Sequence, residues 1–169
     1  TYTLMMLCGA ELGRDAAIKK NKMISKYRVL PKEFGNYYGK KIFEIERVCV
    51  GTNTLSYDSY LNCRNFSFIL QLLSASIFSP IYKLTQKLNI SWHDVVKKTA
   101  ELIKSDNFKG KFKELYNGFC TEAENELFDS EEEANEFYSK DENYERLLKG
   151  DIGENLLGKY GAKGFFIHK

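Results

Sequence analysis

Hydrophobic and polar positions change their spacing once along this chain, near residue 55. Before that point the spacing is two. Residues 41–50 set Ile42, Phe43, Ile45, Val48 and Val50 among Glu44, Glu46 and Arg47, the alternation of a half-buried strand. Residues 26–30 are a second strand candidate, which Pro31 is expected to stop. Gly35 and Gly39 bracket Asn36-Tyr37-Tyr38, so residues 26–50 predict an antiparallel hairpin with a wide turn. Residues 1–8 form a short continuous apolar and β-branched run, the pattern of a buried strand. The segment from Gly9 to Gly13 closes that run, and the stretch Asp15–Asn21 reads as a short helical turn or an irregular basic loop.

Beyond residue 55 the spacing becomes helical. Ser56 is placed to cap a helix, with Asp58 favoured at the positive end of its dipole. That helix is expected to run to about Phe78 and stop before Pro80. Ile81, Leu84 and Leu88 mark a short second helix at i, i+3, i+7. Ser91-Trp92-His93-Asp94 resembles a capping box, followed by an apolar face of Trp92, Val95, Val96, Thr99, Leu102 and Ile103. Phe112, Leu115, Tyr116, Phe119, Cys120, Ala123 and Leu127 make one stripe of a longer helix. Ser130-Glu131-Glu132-Glu133 is a better capping box and opens the next, with Phe137 and Tyr138 behind it. A last segment, residues 144–160, carries Leu147, Leu148, Ile152, Leu156 and Leu157 around Gly150 and Gly153. The predicted class is therefore α+β, a short β-hairpin and strand remnant at the N-terminus followed by a mostly α-helical bundle. The division by period is 1–55 and 56–169.

Composition narrows what such a fold can be. In 169 residues, 43% hydrophobic and 14% aromatic content is enough for a packed core. The net charge of +2 is uneven: residues 1–55 carry +5, 56–128 carry +1 and 129–169 carry −4. A basic first third can face an anion, but it lacks the dense patch with interleaved aromatics of a nucleic-acid binder, so no nucleic-acid partner is expected. Cys8, Cys49, Cys63 and Cys120 show no metal-ligand spacing, and a disulfide framework is not expected in a chain with no secretory segment. Reduced thiols place the chain in the cytoplasm. The longest apolar region, residues 66–81, is broken by Gln71, Ser74, Ser76 and Ser79 and falls short of a membrane span, so no membrane partner is expected either.

Candidate chemistry is sparse. No Ser/His/Asp set, P-loop or dinucleotide-binding Gly-rich loop occurs. Thr52-Asn53-Thr54 follows a strand and precedes a helix, where its hydroxyls and amide can read a ligand, or simply cap and close the turn. Arg28 and Arg47 can clamp a carboxylate or phosphate, or pair across strands with Glu44 and Glu46. His93, on the first turn of its helix, reads as a surface residue.

Four segments occur in order: GAEL (9–12), YRVLPKEFGNYYGKKIFEIERVCVGTNTLSYDSYL (27–61), ELFDSEEE (126–133) and YERLLKGDIGENLLGKY (144–160). Together they resemble the C-terminal part of cobalamin-binding-domain radical S-adenosylmethionine proteins. The resemblance covers nearly the whole chain but rests on linker and tail signatures, since the cluster-binding Cys-x3-Cys-x2-Cys is absent. It implies a parent enzyme with a cobalamin-binding domain, then a partial barrel, using a 4Fe-4S cluster, S-adenosylmethionine and cobalamin. On this expectation residues 1–8 are the last barrel strand and the chain is a fragment that binds none of these cofactors. Its partners would be the upstream barrel and cobalamin-binding domains of the same parent. Glu11 then lies at the C-terminal end of a barrel strand, where barrel chemistry sits, or joins the basic loop of Arg14, Lys19 and Lys20 in an exposed pair. The alternative function is a non-enzymatic helical module that docks a protein through its aromatic hairpin.

Overall fold

The computed structural model describes residues 4–7 and 9–167. Of the predicted first strand, residues 1–3 and Cys8 lie outside the described residues. The fold is α+β: three antiparallel strands, in the order β1-β3-β2, and then helices. The strands are β1 (Leu4–Met5), β2 (Ile24–Tyr37) and β3 (Lys40–Gly51). The helices are α1 (Asp15–Asn21), α2 (Tyr57–Leu73), α3 (Ser79–Lys87), α4 (Trp92–Lys104), α5 (Lys111–Asn125), α6 (Glu131–Ser139), α7 (Asp141–Leu148) and α8 (Leu156–Phe166). Among the described residues no single helix is long and apolar enough to cross a membrane.

The hairpin departs from expectation in two places. Its turn is tight, not wide: Tyr37 pairs with Lys40, and Tyr38 (φ 53°) with Gly39 (φ 84°) makes a two-residue turn with both central residues left-handed. Gly35 is a strand residue facing Ile42. Pro31 does not end β2. Val29 pairs with Ile45 and Phe34 with Phe43, so residues 30–33 oppose Glu44 alone. Pro31 falls inside this irregularity, where its missing N–H leaves no gap in the ladder.

Two compact units emerge, each discontinuous in sequence: Thr1–Leu61 with Glu122–Asn155, and Asn62–Thr121 with Leu156–Lys169. In the first, one cluster gathers Val29 and Phe43 of the hairpin with Ala134, Tyr138, Tyr144 and Leu147 of α6 and α7. Val48, Val50 and Leu127 form another, covered by Tyr57, Tyr60 and Leu61. Tyr27 and Phe128 exchange both backbone hydrogen bonds, at 2.9 and 2.8 Å, which fastens the segment after α5 to β2. Gly153 (φ 71°) packs so closely that a Cβ there would meet Leu147 Cδ2 at 2.4 Å and Val29 Cγ1 at 2.9 Å.

The second unit is all helix. Phe68 of α2 stacks on Phe119 of α5 with ring centroids 4.3 Å apart, and Tyr160 of α8 sits edge-on to both. Gly164 lets α8 approach α2, since a Cβ would lie 2.8 Å from Leu72 Cδ2.

The helix starts show what capping chemistry decides. Ser56 Oγ accepts from the Ser59 N–H at 3.1 Å, as its position predicts. Ser130 Oγ accepts from the Glu133 N–H at 3.1 Å, while the Glu133 carboxylate accepts from the Asp129 N–H at 2.9 Å. Ser91 is an N-cap without a side-chain bond, so the predicted box at 91–94 does not form. The α2 helix ends at Leu73, earlier than expected, and a 3-10 turn (Ser76–Phe78) leads into α3, with Pro80 in its first turn.

Candidate functional site

Arg28 is the sequence candidate that the fold surrounds most closely. It sits opposite Glu46 across the β2–β3 ladder, and its Nε donates to Glu46 Oε1 at 2.5 Å. A second partner comes from far along the chain: Arg28 Nη1 donates to Glu126 Oε1 at 2.9 Å. The side chains of Glu46 and Glu126 are only 4% and 8% exposed. Burial disfavours the Arg28 charge, but the two carboxylates more than offset it and hold the guanidinium above its ordinary pKa. Glu46 Oε2 has no hydrogen-bond partner. Arg47 points elsewhere, its guanidinium 6.0 Å from the centre of the Tyr27 ring and its Nε without a hydrogen-bond partner.

Beside this triad is a cavity of about 340 Å3, lined by Glu122, Asn125, Glu126, Phe137, Tyr138, Arg146, Ile152 and Gly153. Arg146 Nη1 donates to Asn143 Oδ1 at 3.0 Å. Burial pushes the Tyr138 phenol well above its ordinary pKa, Glu126 adds to this, and nearby Arg28 opposes it. The phenol therefore stays neutral at physiological pH and offers hydrogen bonding, not base chemistry.

The remaining candidates lie apart. The register of β1 on β3, Leu4 with Cys49 and Met5 with Val48, runs the chain toward Arg47 as it leaves β1. Glu11 follows that end in an exposed 3-10 turn, folded back because Gly13 sits against the Leu7 carbonyl, which a Cβ would approach to 2.3 Å. Thr52, Asn53 and Thr54 follow the opposite end of β3. Thr52 Oγ1 accepts from the N–H groups of Thr54 and Leu55, each at 3.2 Å, and the Asn53 N–H donates to Asn21 O at 2.9 Å. These bonds close the turn and tie it to the end of α1. Glu11 and the 52–54 triplet are thus not brought to one place. His93 is exposed, and His168 lies outside the described residues.

Glu126 and Tyr138 are the polar residues that the sequence alone does not reveal. Glu126 is 98 positions from Arg28, and its only local signal is membership of the ELFDSEEE segment. The fold does explain that segment. Residues 27–61, 126–133 and 144–153 all fall in the first unit: the first two share the ion triad and the Val48–Val50–Leu127 cluster, and the first and third share the cluster of Val29, Phe43, Tyr144 and Leu147. Among the described residues, no three His, Cys, Asp or Glu side chains are grouped as metal ligands. Cys49, Cys63 and Cys120 are free thiols, and burial pushes the Cys120 thiol up and away from reactivity. No family model, curated protein or solved structure matches this chain.

Proposed function

We propose that the chain is the C-terminal portion of a radical S-adenosylmethionine, cobalamin-binding iron–sulfur enzyme, where it closes the barrel and shapes the substrate pocket without being catalytic alone. The observation that carries this reading is the β1 edge. β1 pairs with β3 on one side, and among the described residues nothing pairs its other side. Met6 N–H donates to Arg47 O at 2.8 Å, so the alternation of an antiparallel ladder turns the Met5 amide outward. Leu4, Met5 and Leu7 are each about half exposed. An apolar strand with an open edge is a site for another strand. The element that follows carries Glu11 at the end where barrel enzymes place substrate-contacting groups.

On this reading the 4Fe-4S cluster, S-adenosylmethionine and cobalamin belong to the upstream domains, and no reaction step is assigned to this chain. The free thiols Cys49, Cys63 and Cys120 fit a cytoplasmic setting. A second reading, a non-enzymatic module docking a protein partner through the hairpin, draws on Tyr37 and the fully exposed Tyr38 at its tip.

The test is the reading frame upstream of residue 1 and its full-length product after anaerobic reconstitution. The proposal expects a Cys-x3-Cys-x2-Cys about a barrel's length upstream, with cluster and corrinoid absorption in the longer protein. A frame without that motif refutes the enzyme reading and leaves the interaction module.

A further inference from the structure

The acidic residues of this chain avoid one part of it. Residues 59–93 contain none, where the chain's average of 23 in 169 would put about five, and residues 155–169 contain none either. Both stretches contribute to the helical unit, and they meet there: Leu72, Ile77 and Phe78 line a small pocket with Gly164 and Phe165 of α8.

The same two stretches expose apolar side chains. Ile77, Ile81, Leu84, Leu88 and Ile90 are each about half exposed, as are Phe165 and Phe166. Within α3, Thr85 is the one buried residue, while Ile81, Leu84 and the C-cap residue Leu88 recur at i, i+3, i+7 on a solvent-facing arc. Lys83 and Lys87 flank that arc, and Lys159 and Lys163 lie on α8. The α2 helix and residues 76–87 are together apolar enough for a membrane span but are bent by 66°. The bend divides the apolar stretch, and an apolar arc flanked by lysines suits a helix lying in a bilayer surface.

We propose that the surface formed by residues 76–90 and the end of α8 docks on an anionic lipid bilayer. Ile81, Leu84, Leu88 and Phe165 enter the headgroup–acyl boundary, and Lys83 and Lys87 extend to the lipid phosphates. The absence of acidic residues from both stretches matches a uniformly negative partner. A second copy fits less well. Self-pairing would set Lys83 and Lys87 of one copy against the lysines of the other. This docking departs from the sequence expectation of no membrane partner and does not depend on the enzyme reading.

The experiment is co-sedimentation of the chain with phosphatidylcholine vesicles, with and without phosphatidylglycerol, at low and high salt. Trp92, the sole tryptophan, packs edge-on to Tyr82 with centroids 5.4 Å apart and serves as a second, fluorescent readout. Binding is expected only to the anionic vesicles, weakening with salt. The triple change Ile81→Ser, Leu84→Ser, Leu88→Ser lowers it at least about thirtyfold, and Lys83→Gln with Lys87→Gln about tenfold. Leu148→Ser, at an exposed position of α7 outside the patch, leaves it unchanged. Circular dichroism checks that the variants keep their helices, and the lysine pair carries the test if the triple variant does not. No binding to anionic vesicles overturns the proposal, as does equal binding by wild type and lysine variant. A patch-dependent dimer, or a patch-dependent complex with an acidic amphipathic peptide, without vesicle binding, also overturns it.

Discussion

The two units of this chain bury different things. The hairpin unit buries Glu46, Glu126 and Asn143, and its core is threaded by an ion triad joining residues 98 positions apart. The helical unit buries Thr85 but, among the described residues, no charged side chain, and its centre is the Phe68–Phe119–Tyr160 aromatic cluster. The difference concerns specificity. Apolar packing tolerates rearrangement, whereas a guanidinium held by two buried carboxylates allows few alternatives. The units also leave different surfaces open. One ends in a strand edge, which suits another strand; the other ends in a lysine-flanked helical face, which suits a flat anionic surface.

The sharpest way to break this comparison is at Arg28. Arg28→Met removes the cation shared by two buried carboxylates and is expected to cost about 3–5 kcal/mol of stability in denaturant unfolding. Replacing Glu46 and Glu126 by Leu in the same protein should recover most of it. A loss below about 1 kcal/mol for Arg28→Met would show that the triad is not a structural charge centre. In the helical unit, Phe119→Ala should cost about 3–4 kcal/mol through a cavity, with no polar replacement able to restore it. Ser130→Ala should cost about 1 kcal/mol by removing the cap of α6, read as a shift in the unfolding midpoint.

The smallest effect is one of pH. Tyr138 has a folded pKa raised above the ordinary value of 10.0, so its stabilisation is complete below pH 10. Above that pH the unfolded chain ionises first, and stability declines as pH rises toward the folded value. Tyr138→Phe should flatten the alkaline limb of a stability–pH profile and leave its neutral region nearly unchanged. An alkaline limb unaltered by the substitution would contradict the buried placement.

How far this was legible depends on the range of each interaction. The change of period near residue 55 announces the α+β class because alternation and helical spacing are local. Ser56 and Ser130 are legible as caps for the same reason, and Ser91 has the same pattern without the bond. Pro31 misleads because local chemistry says break, while the ladder slips by several residues at that point and needs no amide there. Gly35 reads as a turn residue because nothing in sequence shows Ile42 across from it. Arg28 can be singled out, but its link to Glu126 cannot, since only tertiary folding brings the end of α5 to β2. The Thr52-Asn53-Thr54 triplet was legible as polar and well placed, and the fold uses its backbone and Thr52 hydroxyl to close a turn.

The proposed enzyme role depends on β1 presenting an edge that pairs with another strand of a longer parent protein. Amide hydrogen exchange at Met5 measures this directly, comparing the 169-residue chain with the full-length gene product. The account predicts rapid exchange in the shorter chain and slowing by at least about a hundredfold in the longer one. Equal exchange rates in the two would contradict it.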